Sequence, residues 1–93
     1  MTGHATELAK KPNNFAVASA HPLATEAGLM ILQEGGNAFD AAVAISAMLA
    51  VVEPYHTGLG GGGFWLLHDA KTNEDIFVDA RESAPQAATK GMF

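Results

Sequence analysis

Cysteine is missing from this 93-residue sequence, and basic residues are scarce. Without cysteine the chain has no disulfide framework, no thiolate nucleophile and no cysteine-based zinc site. Five Lys+Arg stand against ten Asp+Glu, which gives a formal net charge of −5 with histidine neutral. Only Lys10 and Lys11 are adjacent, so the chain has no basic patch that could neutralise phosphates. We therefore expect no nucleic-acid partner and no anionic membrane surface as partner.

Long hydrophobic runs are also absent. The longest apolar stretch, residues 41–52, is interrupted by Ser46 and is shorter than the roughly 20 residues that span a bilayer. Residues 1–14 are polar and contain no apolar run of the kind that a secretory signal needs. We interpret them as a flexible N-terminal arm. The expectation is a cytoplasmic protein, unless a signal for the periplasm or for secretion lies outside this chain.

Apolar residues are what the sequence has in quantity. Hydrophobic types make up 48% of it and charged types 16%, a balance far from that of disordered chains. A chain of this length typically buries only about two-thirds of the surface that it exposes when unfolded. The sequence therefore has room for one domain or part of one, and we assign residues 15–93 to it.

The first half of the apolar pattern predicts a strand and then a helix. Residues 15–19 alternate in the manner of a short strand. Pro22 suits the first position of a helix, and Gly35 with its neighbouring glycine suits a left-handed stop, so we expect a helix over residues 22–34. Its apolar face is predicted to carry Leu23, Ala27, Met30 and Ile31.

The second half predicts another helix and a hairpin. Asn37 is a good N-cap for a helix that is apolar nearly all round over residues 41–52. Residues 63–68 and 76–79 are apolar runs joined by a polar, turn-prone segment, which indicates an antiparallel hairpin. Residues 87–93 have the composition to begin a further helix. The order strand, helix, helix, hairpin is an α+β arrangement.

Residues 58–63 form a glycine-rich segment, GLGGGG, which formally contains the pattern G-x-G-x-x-G. In dinucleotide-binding proteins that pattern follows a strand and opens a helix, whereas here a predicted helix precedes it and a predicted strand follows. We therefore do not interpret it as a nucleotide site. Successive glycines let the backbone pass close to another element. They also leave bare backbone for a ligand or a neighbouring segment to approach, and Gly60, Gly61 and Gly62 are candidates for that approach.

Arg81 is the candidate binding residue. It follows the second predicted hairpin strand and stands between Asp79 and Glu82. One interpretation is a surface arginine that pairs with its acidic neighbours. The other is a guanidinium fork that holds a substrate carboxylate through two parallel hydrogen bonds, which its planar geometry suits. The residue pattern leaves both interpretations open.

Neither a metal site nor a cofactor is predicted. The histidines show no i, i+4 pairing on a helix and have no carboxylate at metal-ligand spacing. They are His4, His21, His56 and His68.

Several stretches of the chain, taken in order, resemble the N-terminal part of the gamma-glutamyltransferase family, the gamma-glutamyltranspeptidases. They are AVASAHPLATEAG at residues 16–28, ILQEGGNAFDAAV at 31–43, VEP at 52–54, GLGGGGF at 58–64 and DARESAP at 79–85. They cover most of the chain from residue 15 onward, and a series of motifs in family order makes the resemblance specific.

The resemblance implies an N-terminal nucleophile hydrolase with a four-layer αββα sandwich, of which this chain would form an incomplete part. It implies a precursor that cleaves itself into a large and a small subunit, and an enzyme that transfers or hydrolyses gamma-glutamyl groups, notably from glutathione. The acyl-enzyme would form on the threonine that opens the small subunit, with its own α-amino group as base. Arg81, in DARESAP, matches the family arginine that clamps the α-carboxylate of the glutamyl group.

Family chains are several times longer, so we expect this chain to be an N-terminal fragment without the nucleophile. Alone it should be inactive, because binding without a nucleophile stabilises no transition state. The expected partners are a small gamma-glutamyl substrate and the remainder of the enzyme, including the small subunit. Uncovered apolar surface would also favour self-association of the isolated chain. Two alternatives stand beside this hypothesis: a non-catalytic interaction module that keeps the family scaffold, and a related acylase with a different acyl donor.

Overall fold

A computed structural model describes residues 15–92 of the chain, in two compact units that comprise residues 15–58 and residues 59–92. The predicted N-terminal arm, residues 1–14, lies outside the described residues. The assignment of both units to a single domain stays a prediction.

Helix α1 spans Pro22–Gln33 and begins at a histidine cap. His21 is extended, with φ −140° and ψ 135°, and its Nδ1 accepts a hydrogen bond of 3.1 Å from the backbone N–H of Leu23. Pro22 takes the first helical position, where its missing N–H costs nothing. The predicted helix is confirmed to within one residue, whereas the capping role of His21 was not predicted.

The end of α1 has the hydrogen bonds of a Schellman motif. The N–H of Gly36 donates to the carbonyl of Ile31 at 2.9 Å, and that of Gly35 donates to the carbonyl of Leu32 at 3.1 Å. Gly35 has φ 99°, a left-handed conformation that glycine adopts without a steric penalty. The predicted left-handed stop is confirmed.

Helix α2 spans Ala38–Val52 and opens with a capping box. The N–H of Asp40 donates to Asn37 Oδ1, and the N–H of Asn37 donates to Asp40 Oδ2, each at 2.9 Å. The helix ends where Glu53 precedes Pro54, since a residue before proline avoids the α region. The predicted N-cap at Asn37 is confirmed. Within residues 15–92 no helix is long and apolar enough to cross a membrane.

Small residues make the contact between the two helices. Ala24 and Ala41 are 0% and 3% exposed, and Gly28 is buried one turn after Ala24. A Cβ on Gly28 would lie 2.7 Å from Ile45 Cδ1 and 3.1 Å from Val17 Cγ1, so the segments approach through the space that glycine leaves.

The apolar face predicted for α1 is not the side of the helix that is buried. Leu23 and Met30 are 47% and 51% exposed, whereas Ala24, which the predicted face did not include, is in the core. The buried side runs through Ala24 and Gly28 because close helix packing selects for small side chains, and counting large apolar residues overlooks them.

Residues 15–19 belong to no helix or strand, so the predicted strand is wrong. Phe15, Val17 and Ser19 are half-buried and alternate with exposed Ala16 and Ala18, so the predicted alternation is present. A β-strand also needs a hydrogen-bonded neighbour, and no other segment in the described part of the chain pairs with this one.

The second unit contains the predicted hairpin. Strand β1 spans Gly63–Asp69 and strand β2 spans Glu74–Ala80, and they pair antiparallel from Gly63↔Ala80 to Asp69↔Glu74. In the connecting turn the N–H of Lys71 donates to Asp69 Oδ1 at 2.9 Å, and Asn73 adopts the left-handed φ of 55°. Asparagine tolerates this conformation better than most residues.

Both faces of the hairpin are apolar. One face carries the exposed side chains of Phe64, Leu66 and Phe77, with the two phenylalanine rings stacked at a centroid distance of 5.9 Å. Trp65 and Val78 pair on the other face. Apolar residues on both sides are typical of a sheet that lies between two other layers.

The helix predicted for residues 87–93 is wrong over the part that the structure describes, residues 87–92. That region has isolated turns, in which the N–H of Ala88 donates to the carbonyl of Pro85 and the N–H of Met92 donates to the carbonyl of Thr89. Thr89 and Gly91 are poor helix formers, and so short a helix is marginal without a packed face.

Candidate functional site

Arg81 lies directly after the last residue of β2. Its own N–H donates to Asp79 Oδ1 at 3.1 Å, so the side chain of Asp79 holds the backbone where the strand ends. The Arg81 side chain is 71% exposed. The hairpin therefore presents the guanidinium at one end of the strand pair rather than in the apolar faces.

The Arg81 side chain makes one loose ion pair. Its Nε lies 3.8 Å from Oε1 of Glu82, a distance longer than a hydrogen bond, and both side chains are more than half exposed. An exposed pair of this kind contributes at most about 1 kcal/mol to stability. Among residues 15–92 no hydrogen bond engages the guanidinium, so its fork is open to a planar anion such as a carboxylate.

At Gly62 the glycine-rich segment packs against the residues on either side of Arg81. A Cβ built on Gly62 would lie 2.5 Å from the carbonyl oxygen of Ala80 and 2.6 Å from the nitrogen of Glu82, and would also collide with Glu82 Oε2. At Gly60 a Cβ would meet nothing within 4 Å. The close backbone approach is therefore found at Gly62, while a ligand approach at Gly60, Gly61 or Gly62 stays a prediction.

The histidines of the described region have structural partners. His21 caps α1, and His56 lies 3.6 Å from Glu53 with its ring edge-on to Tyr55. His68 Nδ1 lies 2.7 Å from Asp75 Oδ1, across the two strands. In residues 15–92 no three potential ligands come together as a metal site, and His4 lies outside them.

The family model described as Gamma-glutamyltranspeptidase matches residues 24–93 of this chain. The chain belongs to the gamma-glutamyltranspeptidase family. The glutathione hydrolase proenzyme of Bacillus subtilis (strain 168) is 54% identical over 77 residues, which cover 83% of this chain and 13% of that protein. The capsule biosynthesis protein CapD proenzyme of Bacillus anthracis is 42% identical over 71 residues, which cover 76% of this chain and 13% of that protein.

Solved structures of the family share this fold. Helicobacter pylori gamma-glutamyltranspeptidase matches with a TM-score of 0.75 and 53% identity, over 85% of this chain and 22% of that chain. The CapD transpeptidase of Bacillus anthracis matches with a TM-score of 0.72 and 41% identity, over 78% of this chain and 25% of that chain. The predicted fold class, an incomplete α+β part of an N-terminal nucleophile hydrolase, is confirmed. The chain spans 13% of the length of the two curated relatives named above.

Family membership covers the candidate site, because Arg81, Glu82 and Gly62 all lie within the matched residues. Sequence reasoning singled out Arg81 and the glycines separately and did not connect them. The signal that could have done so is the strand register, since residues before one strand and after its partner meet at the same end of a hairpin. The same register would have revealed the His68–Asp75 pair.

Proposed function

We propose that this chain is the N-terminal portion of an enzyme that transfers or hydrolyses gamma-glutamyl groups, with Arg81 as the residue that binds the α-carboxylate of the donor. The supporting observation is the exposed guanidinium at the end of β2, which no hydrogen bond from residues 15–92 occupies. Membership of the gamma-glutamyltranspeptidase family supplies the class of reaction.

Arg81 would anchor the donor at the end opposite the bond that breaks. A gamma-glutamyl group carries its α-carboxylate and α-amino group at one end and the reacting carbonyl at the other. A guanidinium that holds the carboxylate through two N–H···O bonds fixes both the position and the rotation of that group. The reacting carbonyl is then held at one place relative to the nucleophile, which lowers the entropic part of the barrier.

The proposal assigns the acyl-transfer chemistry itself to other parts of the enzyme. A threonine hydroxyl would attack the carbonyl carbon, its proton would pass to the threonine's α-amino group, and backbone N–H groups would stabilise the oxyanion. That intermediate would then collapse: the bond to the donor's amine breaks, and the amine leaves with the proton held on the α-amino group. The resulting acyl-threonine would pass its acyl group to an acceptor amine or to water. The remainder of the enzyme, including the small subunit, would also cover the apolar faces of the hairpin.

The test uses a chimera in which residues 15–93 replace the matching segment of the Bacillus subtilis glutathione hydrolase proenzyme. A hydrogen bond to a charged group contributes about 1.5–3 kcal/mol, so Arg81→Ala should weaken donor use by roughly 10- to 100-fold. The effect should appear chiefly in KM for a gamma-glutamyl anilide. Arg81→Lys should recover only part of it, because an ammonium group lacks the planar fork.

Lys71→Ala is the matched control, because it removes a cation from the turn at the far end of the hairpin. Kinetics equal to the parent's are expected for it. Parent-like donor KM in Arg81→Ala would contradict the proposed role of Arg81. No turnover in the folded, processed parent chimera would contradict the proposed activity of the segment.

A related acylase with a different acyl donor is a second candidate, and the similarity to CapD favours it. A competition experiment distinguishes the two candidate functions. If a gamma-glutamyl donor inhibits turnover of a second acyl donor at a concentration near the KM of the gamma-glutamyl donor, the two donors share one site. Arg81→Ala should then weaken the use of both donors. If the preferred donor has no carboxylate on its acyl group, and Arg81→Ala leaves its turnover unchanged, the second candidate is favoured.

A further inference from the structure

The ladder register brings Gly62 and Arg81 together, although 18 positions separate them in the printed sequence. The last pair at this end of the hairpin is Gly63↔Ala80. Gly62 directly precedes Gly63 and Arg81 directly follows Ala80, so both residues lie just beyond the end of the ladder. The glycine-rich segment and the candidate clamp therefore meet at one end of the two strands.

The space beside Gly62 is filled by the main chain on both sides of Arg81. The carbonyl of Ala80 belongs to the peptide group before Arg81, and the nitrogen of Glu82 belongs to the peptide group after it. A Cβ at Gly62 would come within 2.5 Å of the first and 2.6 Å of the second, closer than carbon atoms approach such groups. Backbone cannot swing aside as a side-chain end can, so a side chain at position 62 must shift either the main chain around Arg81 or the segment that carries residue 62.

Backbone conformation does not explain the glycine at this position. Among the described glycines only Gly35 has a positive φ, so the φ of Gly62 is one that other residues adopt. The requirement for glycine at position 62 arises from the packing against residues 80–82 alone.

The Glu82 carboxylate lies beside both Gly62 and Arg81. Its Oε2 occupies the place that a side chain at Gly62 would take, and its Oε1 lies 3.8 Å from Arg81 Nε. A negative charge beside Nε attracts that edge of the guanidinium and leaves the two terminal nitrogens for another anion.

We infer that Gly62 and Glu82 are positioning residues for Arg81: Gly62 sets the position of its backbone, and Glu82 sets the direction of its guanidinium. This inference rests on the proposed function of Arg81 as the donor clamp. A displacement of about 1 Å in a substrate-positioning group can lower a rate by about 100-fold, so the packing at Gly62 should be visible in donor selectivity.

The experiment compares two donors in the chimera described above. A gamma-glutamyl anilide carries the α-carboxylate, and a gamma-aminobutyryl anilide lacks only that group. The ratio of their kcat/KM values measures carboxylate recognition, and a general loss of folded enzyme leaves the ratio unchanged. Gly62→Ala should lower the ratio by at least tenfold, mainly through KM for the gamma-glutamyl donor.

Gly63→Ala is the matched control, because it adds the same methyl group one residue along, where nothing lies within 4 Å. Its ratio should equal the parent's. Glu82→Gln keeps the side-chain size and removes the charge beside Nε, and it should lower the ratio several-fold.

Equal ratios in Gly62→Ala and Gly63→Ala would overturn the role of Gly62, whatever happens to stability. A parent-like ratio in Glu82→Gln would overturn the role of Glu82, and it would decide against the inference as a whole if Gly62→Ala yields no folded enzyme. Arg81→Ala reports on the proposed function separately: an unchanged ratio there refutes the clamp itself, while a reduced ratio there beside unchanged positioning variants refutes only this inference.

Discussion

The helical unit, residues 15–58, and the hairpin unit, residues 59–92, are held in different ways. In the helical unit, capping residues adjacent to each helix satisfy its terminal backbone groups, and Ala24 and Ala41 are buried. In the hairpin unit no residue from 59 to 92 is buried, and both faces are apolar. An isolated two-stranded hairpin is at best marginally stable in water.

The candidate chemistry lies in the less self-sufficient of the two units. Arg81, Glu82 and Gly62 all belong to the hairpin unit, where the pairing of the two strands brings them together. We expect substitutions in residues 15–58 to alter stability, and substitutions near Arg81 to alter donor recognition. Substitutions in each unit can test that division.

The largest stability effect is expected at Gly28. Gly28→Leu would place a large side chain where a Cβ already comes within 2.7 Å of Ile45, and overpacking of this kind costs roughly 2–3 kcal/mol. Thermal unfolding of the chimera should show a lower Tm. Gly58→Ala, with nothing within 4 Å, is the control and should leave Tm unchanged. A change in the two-donor ratio in Gly28→Leu would break the proposed division.

A smaller loss is expected at the start of α2. Asn37→Ala removes the acceptor for the N–H of Asp40 and half of the capping box, which should destabilise the protein by about 1 kcal/mol. Denaturant unfolding measures the loss. Asn37→Asp keeps an acceptor and a favourable charge at the helix N-terminus, so it should restore most of the stability. Equal destabilisation by both substitutions would show that the cap is not the cause.

The smallest effect is expected at the His68–Asp75 pair. Its atoms are 2.7 Å apart, yet both side chains are exposed, and exposed cross-strand pairs contribute about 0.2–1 kcal/mol. A double-mutant cycle of His68→Ala and Asp75→Ala in the chimera should give a coupling energy in this range. A much larger coupling would mean that the assembled enzyme covers the pair, and would sharpen the contrast between the two units.

Prediction from sequence succeeded where the physical cause is local. Gly35 in a left-handed turn and Asn37 as the N-cap of α2 each act within a few residues, so their types and spacing suffice. The hairpin followed from two apolar runs and a polar turn for the same reason.

Prediction failed where a distant neighbour decides. Residues 15–19 have a strand's alternation, but pairing requires a partner that local sequence does not specify. The apolar face of α1 was misplaced because the close approach of Val17 and Ile45 to Gly28 selects small residues at the contact. The turns at residues 85–92 lack the packed face that a short helix needs.

For the candidate site, the sequence alone determined that Arg81 follows a strand, stands among acidic neighbours and lies in a motif of the gamma-glutamyltranspeptidase family. It left open whether the guanidinium is fully engaged in an ion pair with its acidic neighbours. Only the tertiary structure decided that the Arg81–Glu82 contact is loose and that Gly62 packs against the backbone of residues 80 and 82. The physical reason is that strand register converts a separation along the chain into contact, and no local property of Gly62 or Arg81 contains that register.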